Sequence, residues 1–269
     1  MANVQQILET AIAASRAGGQ ILRRYFDEGV TMRNKAGDGG KSYDLVSDAD
    51  EESEQTIAAL IRDAYPTHEL LGEESLQGGN VDSEHLWIID PLDGTNNFAH
   101  RIEHFAVSIG YYENGRAKAG AIYNPVHDDL FTAVRGEGAF RNGQRVHVSD
   151  TDALGQAMIG CGFYYDRGAM MKATLSAIEE CFSHHIHGIR RFGTASLDLC
   201  MVGCGKLEGF FEYNLSPWDF AAGSLFVTEA GGQITDARGS ELPIGSSSIV
   251  ATNTRLHETL TEITRRHHP

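Results

Sequence analysis

Residues 87–98, WIIDPLDGTNNF, constrain the fold more than any other stretch of this 269-residue chain. Three apolar residues run into Asp90, a proline follows, and Asp93, Gly94 and Thr95 come next. An apolar run that ends on an acid reads as a buried strand finishing at a ligand crevice, because open α/β sheets carry their sites at the carboxyl ends of strands. Two carboxylates three positions apart beside a tight turn repel one another unless a cation or a proton lies between them.

Other acids share this placement. Glu73 and Glu74 follow the apolar LLG, Asp219 sits in SPWDF where Pro217 opens a helix, and Asp50 opens a helix after DLVSDA. Acids such as Glu51, Glu52 and Glu54 read instead as a solvated helix face. Oxygen donors with no companion cysteine or histidine favour magnesium, manganese or calcium over zinc. Asp90 and Asp93 on one turn are spaced to bridge two cations, and a pair of ions roughly 3.5–4 Å apart is a clamp for phosphoryl displacement. A helix beginning at Gly94 and Thr95 would offer free N–H groups to a phosphate oxygen. The competing explanation is structural, since Asp90, Asp93 and Thr95 are all residue types that cap helices and turns.

Composition narrows the partners. Hydrophobic residues make up 41%, enough for one sizeable core or two modest domains. A formal net charge of −15 argues against nucleic acid or anionic membranes, which need clustered Lys and Arg. No apolar run has the roughly 18 residues of a membrane span, and the first residues lack a signal-peptide core, so a cytoplasmic location is expected. Cys161, Cys181, Cys200 and Cys204 have no disulfide-framework or zinc spacing and read as reduced, buried thiols.

Apolar spacing predicts a helix over 3–26, a mobile glycine-rich loop or hairpin over 31–48, and a second helix from about Asp50 to Ala64. Short strands are expected at HELLGEES and LWIID. Strands and turns follow from His104 to Val148, with hairpin signals at ENGR and RNGQ. A second unit after Asp150 has a strand near AMIGCGF, a helix near 168–182, a short helix from Thr194, and the strand LEGFFEY. A helix from Pro217, the segment GGQITD, the strand SSIVATN and a terminal helix complete it. The expected division is 1–150, an α+β half carrying the acids, and 151–269, an α/β half.

Three competing signals carry little weight. Cys161 and Arg167 have the C-x5-R spacing of thiol phosphatases, but the intervening GFYYD is bulky and acidic. GCGKLEG lacks the spacing of a dinucleotide loop. The neighbouring histidines of HHIH and RRHH cannot easily converge on one ion and read as surface residues.

GEES at 72–75, WIIDPLDGTNNF at 87–98 and WDFAAGSLFVTEAGG at 218–232 together resemble the inositol monophosphatase family of magnesium-dependent, lithium-sensitive phosphatases. DLVSDAD at 44–50 and GTASLDLC at 193–200 extend the resemblance over nearly the whole chain, in order. It implies a layered αβαβα fold and a homodimer. It implies that Glu73, Asp90 and the Leu92 carbonyl hold an activating Mg2+, that Asp90, Asp93 and Asp219 hold a second, and that a third sits near Glu73 with waters reaching Asp50; Mn2+ would serve in their place. Thr95 would orient the attacking water. Asp93, Gly94, Thr95 and Asp219 would face the phosphate ester, with Gly193, Thr194, Ala195 and Glu212 around its alcohol. Asn96 departs from the family's usual second threonine, and either Lys35 or Lys41 matches its loop lysine. The implied substrate is a small polyol phosphomonoester, inositol monophosphate first. Fructose 1,6-bisphosphate, a nucleotide 3′,5′-bisphosphate and histidinol phosphate are the alternatives, and a non-catalytic, partner-binding regulator is the reading from another class.

Overall fold

The computed structural model describes residues 3–35, 45–164 and 166–269. The mobility expected over 31–48, and Lys41 with it, falls largely outside those residues. Helix α1 (Val4–Glu28) and helix α2 (Asp48–Ala64) flank a short antiparallel pair, β1 (Arg33–Asn34) and β2 (Leu45–Val46). Next come β3 (Glu69–Gly72), β4 (His85–Asp93) and the single-turn helix α3 (Thr95–Ala99). Strands β5 (Ala106–Glu113), β6 (Arg116–Asn124), β7 (Asp129–Val134), β8 (Gly138–Arg141) and β9 (Gln144–Val146) then pair in simple succession. The resulting seven-stranded sheet has the order β3-β4-β5-β6-β7-β8-β9, antiparallel except between β3 and β4.

The rest of the chain builds a five-stranded sheet. Its elements are β10 (Met158–Cys161), α4 (Ala169–Ser183), β11 (Gly188–Arg190), α5 (Ala195–Gly203) and β12 (Gly209–Leu215). They are followed by α6 (Pro217–Glu229), β13 (Gln233–Thr235), β14 (Ser247–Thr252) and α7 (His257–His267). The strand order is β11-β10-β12-β14-β13, with β10 parallel to both neighbours and β14 antiparallel to both of its own.

Strand alternation sends successive side chains to opposite faces, and here both faces of both sheets are covered. Trp87 and Ile89 of β4 pack on Ile7 and Leu22 of α1 and on Ile57 and Ile61 of α2. Leu86 and Ile88 turn the other way, toward Leu225 and Phe226 of α6. Beyond α5 and α6, Phe210, Ile249 and Ala251 of the smaller sheet meet Leu199, Val202, Phe220 and Val227. Phe211 and Val250, one residue out of phase, pack on Ala177 of α4 and on Leu260 and Ile263 of α7. Four apolar seams thus join five layers: α1–α2, the large sheet, α5–α6, the small sheet, α4–α7. This is the αβαβα arrangement that the resemblance implied.

The second seam is unusually close. A Cβ added at Gly110 would lie 3.1 Å from Ala221 Cβ and Ala222 N, and one at Gly120 would lie 3.2 Å from Ala222 Cα. Bare backbone on β5 and β6 therefore lets α6 settle against the sheet. The hairpin signals are confirmed in detail: Asn114–Gly115 joins β5 to β6 and Asn142–Gly143 joins β8 to β9, all four with positive φ as a tight two-residue hairpin requires.

Candidate active site

Sequence spacing poses a puzzle that the backbone resolves. On a regular strand, residues three apart point to opposite faces, so Asp90 and Asp93 should diverge. Rather than turning after Asp90, β4 continues through Pro91 to Asp93, and its register against β5 slips by one residue: Asp90 faces Ser108, whereas Asp93 faces Ala106. The extra residue is a β-bulge, a site where proline is tolerated and where side chains are re-aimed. It returns Asp93 to the side of Asp90. Gly94 then turns the chain at φ 96°, and a Cβ there would collide with the Thr194 hydroxyl. No other residue type fits this turn without displacing α5.

Asp219 arrives from another layer. It is the third residue of α6, and its carboxylate accepts from the N-cap Ser216 N–H at 2.7 Å. Asp50 holds the equivalent position in α2, accepting from Ser47 N at 2.9 Å. The same device anchors the other two aspartates, since Asp90 Oδ1 takes Leu92 N at 3.0 Å and Asp93 Oδ2 takes Ser196 N at 2.7 Å. In each case one oxygen is fixed by a backbone N–H, which sets the direction of the other. Carboxylate oxygens of Asp90, Asp93 and Asp219 come within 4.8 Å of one another.

Burial, with Glu73 and the other aspartates adding repulsion, pushes the Asp90 carboxyl well above its usual range. Burial and Asp93 do the same to Asp219. Burial also raises Asp93 to about 6, against the hydrogen bond from Ser196. Asp90 Oδ2 is buried and finds no hydrogen-bond partner among the described residues. An anionic oxygen in that position, inside an all-oxygen donor set, fits a hard divalent cation.

Glu73 lines the same pocket from the end of β3 but stands outside the three-aspartate cluster. Lys35 Nζ lies 2.6 Å from it and 2.8 Å from Glu74, which brings this loop lysine to the site. Burial opposes the Lys35 charge, but the two glutamates outweigh it and raise its pKa. The Leu92 carbonyl accepts from Thr95 Oγ1 at 3.1 Å, and Asp50 Oδ1 lies 3.5 Å from that hydroxyl. Burial raises Asp50 to about 6.

At the other end of the pocket lie Gly193, Ala195 and Glu212. Thr194 is fully buried behind the wall and donates to the His104 carbonyl at 2.7 Å, a packing role in place of the expected lining one. Asn96 lies on the rim. The thiol-phosphatase alternative fails on electrostatics: burial pushes Cys161 up to about 12, away from a thiolate.

Three residues escaped the reading of the sequence. Arg191 lines the same end of the pocket as Glu212, whose burial-raised pKa it opposes. Asp198 is 1% exposed, and its Oδ1, 4.0 Å from His104 Nε2, has no hydrogen-bond partner among the described residues. Its signal was a lone acid inside the apolar helix SLDLCMV. Glu54, read as a solvated face, is 1% exposed. Its signal was periodicity, because it shares a helix face with Asp50, Ile57 and Ile61.

A family model described as the inositol monophosphatase family matches residues 3–268. A Nus factor SuhB of Pseudomonas aeruginosa is 39% identical over 271 residues, covering 99% of this chain and 98% of the relative. An inositol-1-monophosphatase of Rhizobium meliloti is 39% identical, covering 97% and 96%. Among solved structures, the extragenic suppressor protein suhB of Bartonella henselae superposes with a TM-score of 0.89 at 38% identity, covering 97% of this chain and 99% of the other.

Proposed function

Because this chain belongs to the inositol monophosphatase family, we propose that it hydrolyses a small polyol phosphomonoester, inositol monophosphate first, with Mg2+ held by its acidic cluster. The observation that carries this reading is the convergence of Asp90, Asp93 and Asp219, with one buried oxygen of Asp90 unpartnered. Asp90, Asp93 and Asp219 would hold one ion, and Glu73, Asp90 and the Leu92 carbonyl another, with Mn2+ as a substitute. Bound there, Mg2+ supplies a water acidic enough to ionise near neutral pH and offsets charge on the phosphate. Thr95 donates its proton to the Leu92 carbonyl, so its oxygen is left to accept from the attacking water and align it for in-line displacement. Asp50 Oδ1, 3.5 Å from that hydroxyl, is the alternative acceptor of the same proton, and with either acceptor the Thr95 oxygen stays free to accept from the water.

Glu212 faces the alcohol, where a carboxyl group exchanging hydrogen bonds with neighbouring hydroxyls suits a polyol. Gly193 and Ala195 leave room for the ring beside it, and Gly94 keeps the turn close to the phosphate. No helix among the described residues is long and apolar enough to cross a membrane. A homodimer, lithium sensitivity and a cytoplasmic location belong to the same proposal.

A second reading has its own support, since the Pseudomonas relative that covers 98% of its own length with this chain is called a Nus factor. A protein-binding role on the same fold is compatible with an intact catalytic cluster.

One experiment separates the readings. Phosphate release is measured from inositol 1-phosphate, fructose 1,6-bisphosphate, adenosine 3′,5′-bisphosphate and histidinol phosphate, in Mg2+ and in EDTA, for wild type and Asp93→Asn. The expected outcome is Mg2+-dependent release, fastest from inositol 1-phosphate, falling by at least about 100-fold in a folded Asp93→Asn. No release from any of the four by a folded, Mg2+-binding protein would sink the enzymatic proposal and favour the partner-binding one.

A further inference from the structure

One face of α2 touches three separate segments of the site. Asp50 reaches Thr95, as described. Ser53 Oγ donates to the Pro91 carbonyl at 3.1 Å, inside the bulge that aims Asp90 and Asp93. Glu54 receives Glu74 N at 3.0 Å on one oxygen, and Ser75 N at 2.7 Å together with the Ser75 hydroxyl on the other. Those amides belong to the two residues directly after Glu73.

The Glu54 carboxylate is buried, and no cation lies within ion-pair distance of it among the described residues. An acid in that position is sustained only by its hydrogen bonds. The chain also makes room for it: a Cβ at Gly72, the last residue of β3, would collide with the Glu54 carboxylate. A surface acid needs neither three donors nor a bare glycine opposite.

We propose that Glu54 is a positioning residue for Glu73, closing the 72–75 turn so that Glu73 leaves β3 toward the aspartate cluster, while Ser53 indexes the bulge from the adjacent position on the same helix. The inference rests on the reading of Glu73 as a metal ligand. A glutamine at 54 keeps the length but turns an N–H2 group toward either the Glu74 N–H or the Ser75 N–H and hydroxyl, so the turn loses an acceptor. The residues that would hold the metal are untouched, and affinity should suffer more than the chemistry that follows.

The test measures Mn2+ binding to the chelator-treated protein by electron paramagnetic resonance, beside the Mg2+ dependence of phosphate release and hydrogen exchange at the Glu74 and Ser75 amides. In Glu54→Gln, Mn2+ affinity is expected to fall at least about ten-fold. The half-saturating Mg2+ should rise in parallel, kcat at saturating Mg2+ should stay within about three-fold, and the two amides should exchange faster. Glu52→Gln removes the same charge from the half-exposed edge of α2, where it pairs with Arg24 and Tyr25 of α1 away from the site, and should leave Mn2+ binding unchanged. Unaltered Mn2+ affinity in a folded Glu54→Gln overturns the inference. Absence of Mn2+ binding in the wild type overturns instead the metal reading beneath it. If Glu54→Gln does not fold, Ser75→Ala, which deletes one donor, decides: about two- to five-fold weaker Mn2+ binding supports the role, and no change overturns it.

Discussion

Glu212 is 7% exposed at the end of the pocket away from the aspartate cluster, and burial pushes its carboxyl up to about 8, partly opposed by Arg191. An ordinary glutamate ionises near pH 4.3 when the chain unfolds. The folded protein therefore holds a proton that the unfolded chain releases, and stability falls with rising pH across that interval. This contribution is complete below about pH 4 and is lost as the pH passes about 8. Thermal melts in EDTA should show Tm declining from pH 5 to 9, and Glu212→Gln, which cannot ionise, should flatten the decline. The same variant should raise KM for a polyol ester several-fold with a smaller change in kcat, a split that steady-state kinetics would detect. At this scale the sequence was legible where chemistry and position coincide, as at Asp90 and Asp93 after an apolar run. Glu54 was not legible, because its partners are backbone amides some twenty positions away and an acid on a helix looks the same from either side.

Among the elements, the seam between α6 and strands β5 and β6 depends on the absence of side chains at Gly110 and Gly120. Gly120→Val would push α6 from the sheet, and overpacking of this kind costs roughly 1–3 kcal/mol. A urea titration should show a lower midpoint, whereas Gly136→Ala, where an added Cβ meets nothing within 4 Å but φ is +84°, should cost about 1 kcal/mol through backbone strain alone. Helix starts were readable because capping chemistry is local: Pro217 opens α6, and Ser47 caps α2 so that it starts at Asp48, two residues ahead of the expected Asp50. The three-residue strands β11 and β13 carry almost no periodicity of their own and exist through their neighbours. The bulge in β4 was written in Pro91, yet only its pairing with β5 reveals what it does to Asp93.

For the molecule as a whole, the aspartate cluster concentrates repulsion that a cation would relieve. Saturating Mg2+ should raise Tm, by about 2.7 kcal/mol of stabilisation at a hundred times Kd, and EDTA should reverse it. The gap should widen from pH 6 to 8, because the ligands must shed their protons to bind metal. Differential scanning fluorimetry with and without Mg2+ at each pH would measure both effects. The five-layer order was implied by family resemblance alone. Apolar strands for two different sheets look alike in sequence, and nothing local says that one pair of helices will serve both.

That shared middle layer has a consequence in time. The seven-stranded sheet is complete at Val146, but the helix that covers its inner face, α6, ends at Glu229. A ribosome adding ~5–20 residues per second needs roughly 4–16 s to span those roughly 80 residues. Throughout that interval the nascent chain carries Leu86, Ile88, Ile122 and Phe131 with the α5–α6 layer that receives them still incomplete.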